Sequence, residues 1–227
     1  MKLKKLPLLV LAYALIAFVC LYFLESNKDI IYPIKALVKS VLFVLIPVVA
    51  LMCTDKKALG FLKAKNVPLS SWKWSIIIGL IMIGVVQGVY FLLQGFIDLD
   101  SIAWQLEQDV GVNKEIFVYI GLYITFGNSF IEEFFFRGIL LVWLAQFWSW
   151  RWVSVLSAFL FAGYHVSIFA GWFDWKLTLL SLLGLFIGGV FFNALNKKSR
   201  TLYPGWIAHI CGDVAVILVG FKMFGFF

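Results

Sequence analysis

Residues 6–24 read Leu6-Pro7-Leu8-Leu9-Val10-Leu11-Ala12-Tyr13-Ala14-Leu15-Ile16-Ala17-Phe18-Val19-Cys20-Leu21-Tyr22-Phe23-Leu24, nineteen residues without a single charge. Wound as a helix, a run of that length covers roughly 29 Å, the thickness of the hydrocarbon core of a bilayer. It is apolar on every side rather than along one stripe, so it has no face to offer to water. Lys2, Lys4 and Lys5 precede it as they would a secretory signal, yet no small-x-small cleavage site follows before Glu25. The run is therefore expected to remain as a membrane anchor.

Long, predominantly apolar runs recur at 34–53, 74–97, 116–148, 152–169, 177–195 and 202–221, the first, third and last of these with a few charged residues among them. They predict an all-α polytopic membrane protein of seven spans. Composition agrees, since 63% apolar and only 14% charged residues leave too little polar surface to coat a soluble globule of 227 residues. No Gly/Ser linker, low-complexity tract or internal repeat divides the chain, which reads as one membrane domain over 1–227. Within it, 1–115 supply three spans and an outer loop, and 116–227 a four-span core. The acidic segment 98–115 of that loop has room for a short amphipathic helix near 102–110 on the outer surface.

The net charge of +7 forms no extended basic stripe. It gathers in short clusters at the ends of apolar runs, which points to anionic lipid rather than nucleic acid as the partner. A cytoplasmic N-terminus assigns Lys2, Lys4, Lys5, Lys56, Lys57, Lys63, Lys65, Lys73, Arg151, Lys197, Lys198 and Arg200 to the inside. Lys28, Lys35, Lys39, Lys114, Lys176 and Lys222 then fall outside, half as many, which favours an N-in, C-out orientation. Cys20, Cys53 and Cys211 form no CxxC pair, and packing is their expected role. A small basic chain without an organelle signal suggests the plasma membrane of a bacterium.

The fourth run contains Phe130-Ile131-Glu132-Glu133-Phe134-Phe135-Phe136-Arg137-Gly138, three ionisable groups among aromatics. Each charge at the bilayer centre costs about 2.5 to 3.5 kcal/mol on insertion scales, so such groups need a partner or a task. Glu133 and Arg137, four residues apart, share a helix face and can neutralise one another, which leaves Glu132 about 100° away. The fifth run holds His165, four residues after Phe161, and the seventh holds His209, four residues before Asp213. Counting from the cytoplasmic edges, Glu132 lies roughly 18 Å deep, His165 roughly 21 Å, His209 roughly 13 Å and Asp213 roughly 20 Å. Four groups on three helices are thus expected at a common level.

Singly, a membrane histidine or a Glu/Arg pair serves as helix-helix glue. Together they suit hydrolysis, in which a carboxylate beside an imidazole takes the proton of an attacking water and an oxyanion is stabilised. Gly127-Asn128-Ser129-Phe130 is not a GxSG serine motif, Gly212-Asp213 lacks a GxGD context, and no HExxH occurs. Glu132, His165, His209 and Asp213 are all competent zinc ligands, so zinc-dependent hydrolysis is the alternative, weakened by the lack of two histidines at i, i+4.

Glu132-Glu133-x-x-x-Arg137, Phe161-x-x-x-His165 and His209-x-x-x-Asp213, in that order over roughly 116–221, resemble the three-motif pattern of the CPBP family. That family includes CAAX prenyl proteases and bacteriocin-processing or self-immunity membrane proteins. The resemblance implies an intramembrane endopeptidase of the glutamic type acting on membrane-associated peptides or proteins without a cofactor. It assigns Glu132 as general base, His165 as its partner in holding the water, and His209 with Asp213 to the oxyanion. Glu133, Arg137 and Phe161 become supports of the site. An ionised Asp213 has no proton to donate, so it must be protonated or must orient His209. A non-proteolytic scaffold or self-immunity protein is the contrasting reading, and it would tolerate Glu132→Gln.

The charge pattern also forecasts an experiment with a membrane-impermeant thiol reagent on intact cells. Asp100→Cys is expected to label and Lys198→Cys to stay protected; the reverse pattern would invert the orientation.

Overall fold

The computed structural model describes residues 6–27, 29–54 and 58–227. Lys2, Lys4, Lys5, Lys28, Lys56 and Lys57, used above for orientation, lie outside the described residues. The regular elements among the described residues are all helical. They are α1 (Leu6–Ser26), α2 (Tyr32–Cys53), α3 (Leu69–Phe96), α4 (Leu99–Val110), α5 (114–146), α6 (Trp150–Tyr164), α7 (Val166–Trp172), α8 (Trp175–Ser199) and α9 (Tyr203–Met223), with short 3₁₀ turns in the connection after α2. The chain is an all-α polytopic membrane protein.

Among the described residues, six helices are long and apolar enough to cross a bilayer: α1, α2, α3, the combined α6–α7 column Trp150–Trp172, α8 and α9. The seventh expected span corresponds to α5, which is helical along its length but is not in that set. The difference has a physical reason. Phe134, Phe135, Phe136, Arg137, Gly138, Ile139, Leu140, Leu141, Trp143 and Leu144 are all buried, so the second half of α5 is solvated by protein and carries charges that a lipid-facing span would not, while Tyr119, Leu122 and Phe126 on its first half are exposed. Leu9, Phe23, Leu80, Phe91 and Leu183, by contrast, are exposed on α1, α3 and α8, as a lipid-facing rim requires.

In lipid, apolar burial does not drive helices together, so close packing and buried polar contacts must do it. The centre is an aromatic cluster on α5, in which Phe135 stacks on Phe43 of α2 at 4.3 Å and Phe136 meets Phe161 of α6 edge to face at 5.2 Å. Gly138 admits the ring of Phe61 so closely that a Cβ would overlap it. On the opposite side α9 packs along α3, where a Cβ on Gly79 would lie 2.6 Å from Cys211 Sγ. Cys211 therefore has the packing role expected of it. Cys20 and Cys53 do not, since both are exposed on outward helix faces.

The outer helix forms as its termini dictate. The Asp98 carboxylate accepts the Ser101 amide at the N-cap, and Gly111 closes the end with φ 73° while the Val112 amide reaches the Leu106 carbonyl. The helix starts at Leu99, three residues before the expected 102.

Two charge assignments made from the sequence need correction. Lys35 and Lys39 are not loop residues reporting topology: both are buried on the inner face of α2, at 3% and 5% exposure. Four residues apart in a helix, they share a face, and that face looks into the protein.

Gly138→Ala is expected to lower the thermal stability of the purified protein despite alanine's better helix propensity, because overpacking costs about 1 to 3 kcal/mol. Combining it with Phe61→Ala should destabilise by less than the sum of the two single changes. Additive losses would show that the two sites do not touch.

Candidate active site

The site is assembled where α2, α5, α6 and α9 converge, and its geometry begins with irregularities in α5. Tyr123–Asn128 and Phe134–Trp143 are wound as π-helix, with the short α-helical stretch Ser129–Glu133 between them. Wide turns of this kind are uncommon and cluster at functional sites. They present Glu132 and Glu133, adjacent in sequence, to different neighbours.

Glu133 is fully enclosed. Its Oε1 pairs with Arg137 Nη1 at 2.9 Å and also lies 3.0 Å from His209 Nδ1. The Arg137 guanidinium sits over the faces of Phe161 at 4.1 Å and Phe192 at 5.0 Å, so aromatic faces supply favourable contact where water is excluded. Gly205 lets the first turn of α9 close onto this pair: its amide donates to Asn196 Oδ1 at 2.7 Å, and a Cβ there would come within 3.0 Å of Glu133 Oε2.

Glu132 faces elsewhere, with its two oxygens in different company. Oε1 accepts from Lys39 Nζ at 2.5 Å, from Asn128 Nδ2 at 2.9 Å and from Tyr164 Oη at 3.4 Å. Oε2 looks across at His209 Nε2, 3.7 Å away, and His165 Nε2, 4.0 Å away. Both distances are too long for a direct hydrogen bond, so this oxygen faces the two imidazoles without being bonded to either.

His165 owes its position to a break in its helix. Its Nδ1 takes the Phe161 carbonyl at 2.7 Å, the acceptor that its own amide would use in an unbroken α-helix. The amide turns instead to the Ala162 carbonyl at 3.0 Å, the tighter 3₁₀ spacing, and the column restarts as α7. Because a carbonyl only accepts, Nδ1 carries the proton and Nε2 presents its lone pair to Glu132. The fifth span is thus two helices meeting at His165 and not the single helix the sequence suggested.

His209 lies between the rings of Phe192, stacked at 5.2 Å, and Phe161, edge-on at 5.5 Å. Its Nδ1 contacts a carboxylate already paired with Arg137, so that nitrogen also carries a proton. Its Nε2 lies 3.6 Å from Asp213 Oδ1. The side chains of Glu133 and Arg137 are 0% exposed, while His165 and Asp213 reach 14% and 17%. The cluster is closed beneath the arginine and opens on the side of His165 and Asp213.

The structure brings Glu132, Glu133, Arg137, Phe161, His165, His209 and Asp213 into one cluster. Sequence reasoning missed Lys39, Asn128 and Tyr164, which surround Oε1. Tyr164 and Asn128 carried a signal only as neighbours of the motif residues. Lys39 carried a clearer one, as a lysine six residues inside an apolar run.

Among the described residues, no group of three His, Cys, Asp or Glu is arranged to hold a metal ion. In addition, the Lys39 ammonium already occupies the cation position on Glu132 Oε1, where a dication would be repelled.

The chain has no match among curated proteins or solved structures. Residues 114–215 do match a family model, that of the type II CAAX prenyl endopeptidases, Rce1-like. The matched stretch runs from the start of α5 into α9 and contains every motif residue from Glu132 to Asp213, but neither α2 nor Lys39. Over that segment, a little under half of the chain, the sequence is similar to the Rce1-like type II CAAX prenyl endopeptidases.

Proposed function

We propose that this chain is a glutamic intramembrane endopeptidase that hydrolyses membrane-anchored peptides at the cluster around Glu132, in the plasma membrane of a bacterium with its N-terminus in the cytoplasm. The observation that carries the reading is the approach of Glu132 Oε2 to both His165 Nε2 and His209 Nε2, from three separate helices, at distances of 4.0 and 3.7 Å.

In this reading a water lies between Glu132 Oε2 and the lone pair of His165 Nε2. As its oxygen attacks the scissile carbonyl carbon, Glu132 takes the proton and the carbonyl becomes a tetrahedral oxyanion. Collapse breaks the C–N bond, and the departing amine receives the proton that Glu132 holds. His209 donates to the oxyanion from Nε2. Charge balance supports that donor: Glu132, Glu133 and Asp213 set three negative charges against the two of Lys39 and Arg137, and a second proton on His209 makes the cluster neutral. Asp213 then needs no proton of its own, because its task is to face His209 Nε2–H until substrate arrives. The substrate enters from the open side at His165 and Asp213. Zinc fits this donor set poorly, given the ammonium on Glu132, and no step uses it.

Glu132→Gln keeps the size of the side chain and removes the proton acceptor, so it is expected to give a folded protein whose kcat is lower by about a hundredfold to ten-thousandfold. His209→Ala should lower it by about a hundredfold to a thousandfold, the usual effect of losing one preorganised oxyanion donor. A prenylated CAAX peptide and a membrane-anchored leader peptide, each internally quenched, are the substrates to assay. Undiminished cleavage by Glu132→Gln would sink the reading. So would one zinc per chain by elemental analysis, with activity abolished by chelation and restored by zinc.

Arg137→Ala strands Glu133 in an enclosed position, and breaking one side of a buried pair costs about 3 to 5 kcal/mol. Less folded protein in the membrane is expected. Normal accumulation and melting temperature with cleavage abolished would instead give Arg137 a direct part in the chemistry.

A further inference from the structure

We propose that Lys39, which lies outside the family-matched segment, is the positioning residue that fixes the Glu132 carboxylate for its work. The inference rests on the proposed role of Glu132 and adds to it a group from the N-terminal half of the chain. A lysine buried on a membrane helix with its side chain 6% exposed needs a partner of opposite charge. Lys39 has one, and the contact reaches across the fold: its ammonium on α2 donates to Glu132 Oε1 and to Asn128 Oδ1 on α5, both at 2.5 Å.

The arrangement is a closed triangle. Asn128 accepts from Lys39 through Oδ1 and donates to Glu132 Oε1 through Nδ2 at 2.9 Å. The ammonium therefore also fixes which way the amide is turned. Tyr164 completes the seat, offering its ring face to the ammonium at 4.7 Å and its hydroxyl to the same carboxylate oxygen at 3.4 Å. A second ring, that of Phe43, lies 5.9 Å from Nζ.

All three donors converge on Oε1, while Oε2 alone is left to face the two histidines. A carboxylate held on one oxygen cannot rotate about its terminal bond without breaking three contacts. The free oxygen is therefore kept aimed at the space where a water would sit, and the charge that stabilises the carboxylate lies on the side away from the reaction. Lys39 does not touch that space itself. Its ammonium is taken up by Glu132, Asn128 and the Tyr164 face, which makes it a positioning group and not a catalytic one.

The test compares purified wild-type protein with Lys39→Met, Lys39→Arg, Glu132→Gln and the double variant Lys39→Met/Glu132→Gln. Two readouts are taken: thermal unfolding, and cleavage of the internally quenched prenylated CAAX peptide or the anchored leader peptide, whichever the wild type cuts. Lys39→Met is expected to lower kcat by about tenfold to a hundredfold, the effect of one charge-assisted hydrogen bond, with KM within about twofold. Lys39→Arg should recover part of that loss. In unfolding, the double variant should melt above the temperature that the two single losses predict when added, because it removes both charges of the pair. If Lys39→Met does not accumulate, accumulation of the double variant reports the same coupling.

Wild-type kcat in Lys39→Met, a loss confined to KM, or strictly additive melting losses would each overturn the proposal. Failure of the glutamic reading looks different, since Glu132→Gln would then cleave normally whatever the coupling between the two residues.

Discussion

An ionised carboxylate cannot remain in a low-dielectric interior without a cation, and two such carboxylates adjacent on one helix set the terms for the rest of this molecule. Glu133 meets that requirement locally, with Arg137 four residues on. Glu132 points elsewhere, and its cation comes from a helix nearly a hundred residues earlier in the chain. The two pairs tie α5 to itself and to α2, and His209 draws α9 in through Glu133. Aromatic rings fill the space between: Phe161 alone faces Arg137, His165 and His209. A ring face favours a cation without adding a titrating group, which suits a site where every further proton would have to be balanced.

The backbone departs from the regular α-helix where the charged groups are placed. Two π-helical stretches flank Ser129–Glu133, and the fifth span breaks at His165 because the imidazole takes a carbonyl from its own main chain. Each departure leaves α-type hydrogen bonds unmade or remade at another spacing, a cost that only surrounding structure can sustain. Here the enclosing helices supply it, since α5 is walled by protein along Phe134–Leu144.

The fold class was legible in the sequence because bilayer thickness fixes the length of an apolar run, and that constraint is independent of any partner. The motif residues were legible because a charge in a span is conspicuous by its energy. What escaped was pairing across the chain. Lys39 was assigned to the outer surface by a rule that counts lysines near span ends, and although its place inside an apolar run marked it as unusual, nothing local named the carboxylate it would meet. The π-helical turns escaped for a related reason: residues such as Phe134 to Phe136 suit any buried helix, and the widening follows from what surrounds them. The break at His165 was hidden because the sequence on either side is equally apolar.

Lys39 and Glu132 are 93 residues apart, and that separation has a consequence for how the protein is made. At about 5 to 20 residues per second of synthesis, the second span is finished roughly 4 to 16 s before Glu132 is added to the chain. During that interval the nascent helix carries two lysines, Lys35 and Lys39, on a face that later turns inward. Their long alkyl stems allow both ammonium groups to snorkel toward the headgroups, which holds α2 shallow or tilted at first. The contacts that seat Lys39 in the finished protein, to Asn128 and Glu132, can form only once α5 has been made, so this part of the site cannot be assembled before that helix is present.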